Sequence, residues 1–287
     1  MSFITRFAPS PTGHLHLGHA YSAILTWQAA VEAGGSILLR IEDIDKGRCR
    51  FEYEVAIVED LGWLGLTFDP PIWRQSERLA DYEARLETLI KRGLVYRCFK
   101  TRKELEEMSS APHGPLGAAY SPGPMPPSEE EALLAKETPF AWRLDMKAVR
   151  EEIGAPFDEL TFLLDEDGTI NDVLASAARF GDVVLGRKDV GTSYHLASVH
   201  DDIESGITHI IRGEDLAEAA GLHRLLYALF EAPPPIYRHH PLITDEDGKR
   251  LAKRDKAATL ADIRARGASP LEVYARLGLT PPDSIQG

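Results

Sequence analysis

The chain has 287 residues, 44% of them apolar and 27% charged, which is enough for one large α/β domain with an insertion or for two domains. Its formal net charge of −13 disfavours non-specific nucleic-acid binding, which depends on phosphate neutralisation, although a local basic face stays possible. No apolar run approaches the roughly 20 residues of a membrane span, and two cysteines, Cys49 and Cys98, support neither a disulfide framework nor a four-cysteine zinc site.

Ser2 to Ala8 is short and partly apolar, ends at two prolines, and predicts a strand. Leu17, Ala20, Ile24, Leu25 and Val31 are spaced for a helix that Gly34-Gly35 ends, and Ser36 to Glu42 predicts a second strand. The result is a βαβ unit whose first turn holds His16 and His19 at a helix start, where free backbone N–H groups favour phosphates. Helices are expected at about 51–61 and 77–91, and a strand from Leu94 to Phe99.

From about 101 to 179 the pattern changes. The stretch His113 to Pro127, rich in proline and glycine, predicts a loop. A polar helix (128–136) follows, with short strands at 140–144, 158–162 and 181–185, so this region reads as an inserted subdomain. The main sheet is expected to resume with strands at 194–199 and 208–212. A helix at about 215–230, a strand at 240–244, a basic turn and two short helices (260–266, 271–277) complete the chain. The basic residues Lys249, Arg250, Lys253, Arg254, Lys256, Arg264 and Arg266, with Arg238, His239 and His240 upstream, are candidates for a positive face.

Arg6-Phe7-Ala8-Pro9-Ser10-Pro11-Thr12-Gly13, His16-Leu17-Gly18-His19 and Leu38-Leu39-Arg40-Ile41-Glu42-Asp43-Ile44-Asp45 together resemble the glutamate branch of the class I aminoacyl-tRNA synthetases, with its HIGH-type tetrad. About 230 residues later, Asp247-Gly248-Lys249-Arg250-Leu251-Ala252-Lys253-Arg254 resembles the family's KMSKS loop, with Ala252 where the pattern has serine. The resemblance implies an α/β, Rossmann-like catalytic domain with a parallel sheet in two halves (1–100 and 180–240). An inserted α+β subdomain (101–179) and a KMSKS-like loop with short helices (241–287) complete it, without an anticodon-binding domain.

Glutamate carries two carboxylates and one ammonium, so its pocket needs two cationic donors and one anion. Arg6, Arg212 and Glu42 supply them, at or near predicted strand ends where α/β sheets bind ligands. The resemblance implies glutamate contacts from Arg6, Phe7, Ala8, Pro9, Ser10, Glu42, Tyr194 and Arg212. It implies ATP contacts from His16, Gly18, His19 and Lys253, and catalytic roles for His16, His19 and Lys253. Which arginine holds which carboxylate stays open; Arg212 is favoured for the α-carboxylate.

Only about thirty residues follow the KMSKS-like loop. This is similar to the truncated branch of the family, the glutamyl-queuosine tRNA(Asp) synthetases. That branch implies ATP with Mg2+ as substrate, L-glutamate, and the queuosine-containing anticodon loop of tRNA(Asp) as partner. A compact or split glutamyl-tRNA synthetase and a non-catalytic RNA- or amino-acid-binding relic are the other two readings. The family's zinc pattern keeps Cys98 and Tyr120 but has Lys100 and Pro124 at the other ligand positions, so no structural zinc is expected. The first fifteen residues lack a signal-peptide pattern; a cytoplasmic monomer without membrane contact is expected.

Overall fold

The computed structural model describes residues 2–100, 104, 121–243 and 258–285. Its first layer is the expected βαβ unit: β1 (Ile4–Phe7), α1 (Leu17–Glu32) and β2 (Ser36–Ile41), with β1 parallel to β2 and Arg6 in register with Leu38. The return to the sheet is tight. Gly34 adopts φ +59°, and a Cβ on Gly35 would stand 2.3 Å from the Phe3 carbonyl oxygen, so the turn requires glycine. Helix α2 (Phe51–Trp63) leads to β3 (Asp69–Arg74), parallel to β2, and α3 (Leu79–Lys91) leads to β4 (Val95–Cys98).

The region from 121 to 186 contributes α4 (Pro127–Leu134), β5 (Ala141–Leu144), α5 (Met146–Ile153), the hairpin β6 (Thr161–Glu166) and β7 (Thr169–Leu174), and β8 (Val184–Gly186). Strand β5 lies antiparallel between β4 and β8. The strand expected from 158 instead starts at Thr161, because Ala155–Glu159 winds into a 3-10 turn.

Two elements differ from the sequence expectation in ways that shape the site. Tyr194–Glu204 is not a strand but a helix, α6. Ser193 caps it by accepting the Leu196 N–H, and Ser198, Asp201 and Asp202 fall on one helical face. An apolar run of six residues could not reveal that spacing. The last strand of the sheet, β10, is Ile236–His240 rather than 240–244; it begins directly after the Pro233–Pro235 run. It pairs in parallel with β9 (His209–Gly213), and α7 (Ala219–Leu229) connects the two.

Thr208 joins the two halves of the sheet. Its N–H donates to the Ile4 carbonyl at 2.9 Å, and its hydroxyl accepts from the Ile4 N–H at 2.8 Å. The strand order is therefore β3-β2-β1 beside β9-β10-β6-β7, parallel except for β7. The chain reverses direction of winding between β1 and β9, the position where such sheets open a ligand crevice. The C-terminal helices α8 (Leu260–Ala265) and α9 (Pro270–Leu277) pack Leu260, Ile263, Val273 and Tyr274 against the core under α1 and α2.

Buried polar contacts tie α6 to α3 and to the turn before it. Both oxygens of Asp201 accept from the Tyr82 hydroxyl, and one each from Arg78 Nε (3.0 Å) and Gln75 Nε2 (2.9 Å). Removing one partner from such a network leaves buried charge uncompensated, typically at ~3–5 kcal/mol. Asp201→Ala is expected to destabilise the fold by about that amount in urea-unfolding measurements.

Candidate active site

A cavity of about 550 Å³ opens at the C-terminal ends of β1, β2, β9 and β10. Arg6, Phe7, Ala8, Pro9 and Ser10 form one wall, Glu42 and Tyr194 another, and Arg212 a third; His16, Gly18 and His19 close the side at the start of α1. All the candidate residues that fall among the described ones thus line a single space. Lys253 lies outside the described residues. The chain leaves the cavity wall at Leu242 and Ile243 before that segment, and after it Thr259 bridges back to His16.

Both family arginines are held in the same way. Arg6 donates its Nε to Asp202 Oδ1 at 3.0 Å, and Arg212 donates its Nε to His239 Nε2 at 3.5 Å, across a β9–β10 register pair. Each arginine is 5% exposed. The two terminal nitrogens of Arg212 are buried and make no hydrogen bond among the described residues. Anchoring a guanidinium by Nε leaves its fork of terminal N–H groups for a carboxylate. Arg40, by contrast, is used internally: it donates to Asp202 (2.5 Å), Glu42 (3.1 Å) and Ser198 (3.0 Å).

Two carboxylates in this cluster are shifted in opposite directions. Burial pushes Asp202 up, but Arg40 and Arg6 together outweigh it and hold the carboxyl below its usual range. Burial also pushes Glu42 up, and there Arg40 and Arg6 do not offset it. Glu42 is therefore the under-compensated anion, and a substrate ammonium beside it would restore the balance.

Around Arg212 the imidazoles are neutral. Burial, with Arg212 adding to it, pushes both His195 and His239 down to about 4, and His223 also well down. This corrects the reading of Arg238, His239 and His240 as a positive face. His239 is an acceptor for Arg212, His240 lines the cavity, and Arg238 donates to Asp165 at 2.9 Å. Arg264 likewise meets Glu59 and Asp60.

At the α1 start, His16 Nδ1 accepts the Gly18 N–H (3.1 Å), and His19 Nδ1 accepts the His16 N–H (3.2 Å). These contacts set both rings beside a helix N-terminus, an arrangement suited to phosphate oxygens.

Sequence reasoning missed Asp202, Arg40 and His239, which set the arginines. It also missed Tyr21 and Ser22, which line the cavity three and four positions after Gly18 on the same helix face. One signal was available: Arg40 is a cation inside an apolar strand. Among the described residues no group of three or more His, Cys, Asp or Glu is placed to hold a metal ion. Cys98 is buried in β4, and Tyr120 lies outside the described residues. No described helix is long and apolar enough to cross a membrane.

A parallel sheet with its crevice at the winding reversal thus carries a helix-start histidine pair and two buried arginines on the walls of one cavity, the architecture of a class I α/β ligand-binding core. Residues 2–284 match the model for tRNA synthetases class I (E and Q), catalytic domain. The chain belongs to that family of aminoacyl-tRNA ligases. It is 47% identical to a glutamyl-Q tRNA(Asp) synthetase of Rhodobacter capsulatus, over 96% of this chain and 100% of that protein. With glutamate–tRNA ligase 2 of Cereibacter sphaeroides it shares 36% identity over 98% of this chain but 62% of the longer relative. The solved glutamate tRNA ligase of Elizabethkingia meningosepticum, in complex with its amino acid, superposes with a TM-score of 0.75 at 31% identity; the match covers 94% of this chain and 59% of that one. Within the family, the resemblance to the glutamyl-Q branch thus extends along nearly the whole chain.

Two outcomes test the site. Asp202→Asn removes the charge that anchors Arg6; losing a hydrogen bond to a charged group costs ~1.5 kcal/mol, so the KM for glutamate should rise about tenfold in pyrophosphate exchange while the KM for ATP stays nearly constant. Glu42 must be ionised to take an ammonium, and its pKa is raised. The KM for glutamate should therefore climb as pH falls, starting above the ordinary carboxylate range near ~4.3, and Glu42→Gln should flatten that profile.

Proposed function

We propose that this chain activates L-glutamate with ATP and transfers the glutamyl group to the queuosine base at the wobble position of tRNA(Asp). One observation carries the amino-acid half: two arginines anchored at Nε present their forks to the cavity that Glu42 lines. Two forks and one anion complement two carboxylates and one ammonium. The length-matched relative named for glutamyl-Q tRNA(Asp) supports the transfer half.

In the first step the glutamate α-carboxylate attacks the α-phosphorus of ATP. The bond to the β-phosphate oxygen breaks, and pyrophosphate leaves with that electron pair, giving glutamyl-adenylate. His16 and His19, beside the α1 N-terminus, stabilise charge as it builds on the phosphates. The resemblance of residues 247–254 to the KMSKS loop supports a role for Lys253 at the same phosphates. Magnesium supplies charge neutralisation when bound with ATP.

In the second step a hydroxyl of the queuosine cyclopentene ring attacks the activated carbonyl. AMP departs with the bonding pair, the hydroxyl proton passes to solvent, and an ester remains. The histidines act on phosphate charge and form no covalent intermediate, since the mixed anhydride is already activated.

The similarity to glutamate–tRNA ligases keeps a second reading in view, charging of a tRNA 3′ end. Labelled glutamate offered with tRNA(Asp), with and without queuosine, separates the two. Incorporation is expected only with queuosine, and equal incorporation into both would favour 3′-end charging. Removing a donor aimed at developing charge costs ~10²–10³ in rate. Lys253→Ala is expected to slow glutamate-dependent pyrophosphate exchange by about that factor, with a far smaller effect on transfer from preformed adenylate.

A further inference from the structure

The chain is acidic overall, with a net charge of −13, yet one rim of the cavity is cationic. The loop from β2 to α2 exposes Lys46, Arg48 and Arg50, and Arg48 leaves 72% of its side chain in solvent. The loop after β8 rises beside it. Arg187 approaches Asp45 at 3.5 Å, the same carboxylate that Arg48 holds at 2.9 Å, and exposed Lys188 donates to the Phe99 carbonyl at 2.7 Å. Five cations thus stand in two adjoining loops, with Arg48 and Arg187 paired to Asp45 and Arg187 also to Asp189.

Phe51, the first residue of α2, ends the loop with 75% of its surface in water. Val55 and Val58 continue its face along the helix, each 41% exposed. The loop adjoins the site directly: the Arg50 N–H donates to the Pro11 carbonyl at 3.0 Å, and Cys49 Sγ reaches the Glu42 carbonyl at 3.9 Å.

An exposed aromatic ring set among cations is the combination that holds unpaired nucleic acid, phosphates on the charges and a base on the ring. A neutral protein partner would have to desolvate these charges without compensation, whereas a polyanion compensates them. Long-range attraction to these cations favours approach of a polyanion at this rim. We propose that the Lys46–Phe51 loop, with Arg187 and Lys188, receives an unpaired stretch of RNA, and that Phe51 stacks one base beside the nucleotide presented to the cavity. This rests on the transfer reaction proposed above.

Binding of queuosine-containing tRNA(Asp) by Phe51→Ala, Phe51→Trp and Lys46→Gln/Lys188→Gln proteins tests it, with glutamate-dependent pyrophosphate exchange as the control for folding and activation. Phe51→Ala should weaken RNA binding about tenfold or more, and Phe51→Trp should retain it. Each lysine removed should lower the slope of log affinity against log salt by ~0.7. Exchange should stay at the wild-type rate throughout. Unchanged RNA affinity in Phe51→Ala with intact exchange would overturn the surface. So would a dimer that Phe51→Ala dissociates without affecting RNA, which would make the apolar face a contact between copies. Failure of the underlying reaction would look different: the wild type would glutamylate tRNA lacking queuosine equally well, while the Phe51 dependence of binding could still be read.

Discussion

The structure depends on one buried carboxylate. Asp202 Oδ1 accepts from Arg6 on β1 and from Arg40 on β2, so a residue of α6 fixes two neighbouring strands of the sheet at their ligand-binding ends. Buried ion pairs are weak sources of stability, because desolvation consumes most of the attraction. What this pair supplies is orientation. With Nε committed to Asp202, Arg6 has only its terminal nitrogens left for a ligand, and with Arg40 committed to Asp202, Ser198 and Glu42, that cation does not compete for substrate carboxylates.

The fold was legible from the sequence where periodicity and punctuation agreed. The βαβ unit, α2, α3, β9 and both C-terminal helices lie within a few residues of their expected positions, because each couples an apolar period to a cap, a glycine or a proline. The reading failed at Tyr194–Glu204, where a short apolar run fits strand and helix alike. Only the partners of Ser198, Asp201 and Asp202 show why helical spacing was needed. The same failure hid the support of the site. The residues that face the cavity were found because they sit in recognisable motifs. Of the residues behind them, Arg40 sits in a recognisable motif but its role shows only in its contact with Asp202, 162 positions away, as that of Asp202 shows in its contact with Arg6, 196 positions away.

The two arginine anchors differ in charge, and this bears on how the pocket treats a dianionic substrate. Arg6 rests on an anion, while Arg212 rests on a neutral imidazole and is ringed by His195 and His223, both held neutral by burial and by Arg212 itself. Among the described residues the hydrogen bonds of Arg212 thus include no carboxylate. A buried cation without an anionic hydrogen-bond partner is costly, so part of the affinity for a carboxylate would come from relieving that penalty.

The pairing around the cavity separates cations that are already engaged from one that is not. Arg6 and Arg40 share Asp202, and Arg40 also reaches Glu42 and lies 3.9 Å from Asp201. Arg212 differs: its Nε meets a neutral imidazole and its terminal nitrogens make no hydrogen bond among the described residues, with Asp215 also on the cavity wall. Under the proposed reaction, a substrate carboxylate would complete the pairing of whichever arginine fork holds it, whereas an amide in the same place would leave a desolvated guanidinium with a neutral partner. Discrimination against the amide would then rest on charge and hydrogen bonding, since the two groups are nearly equal in size.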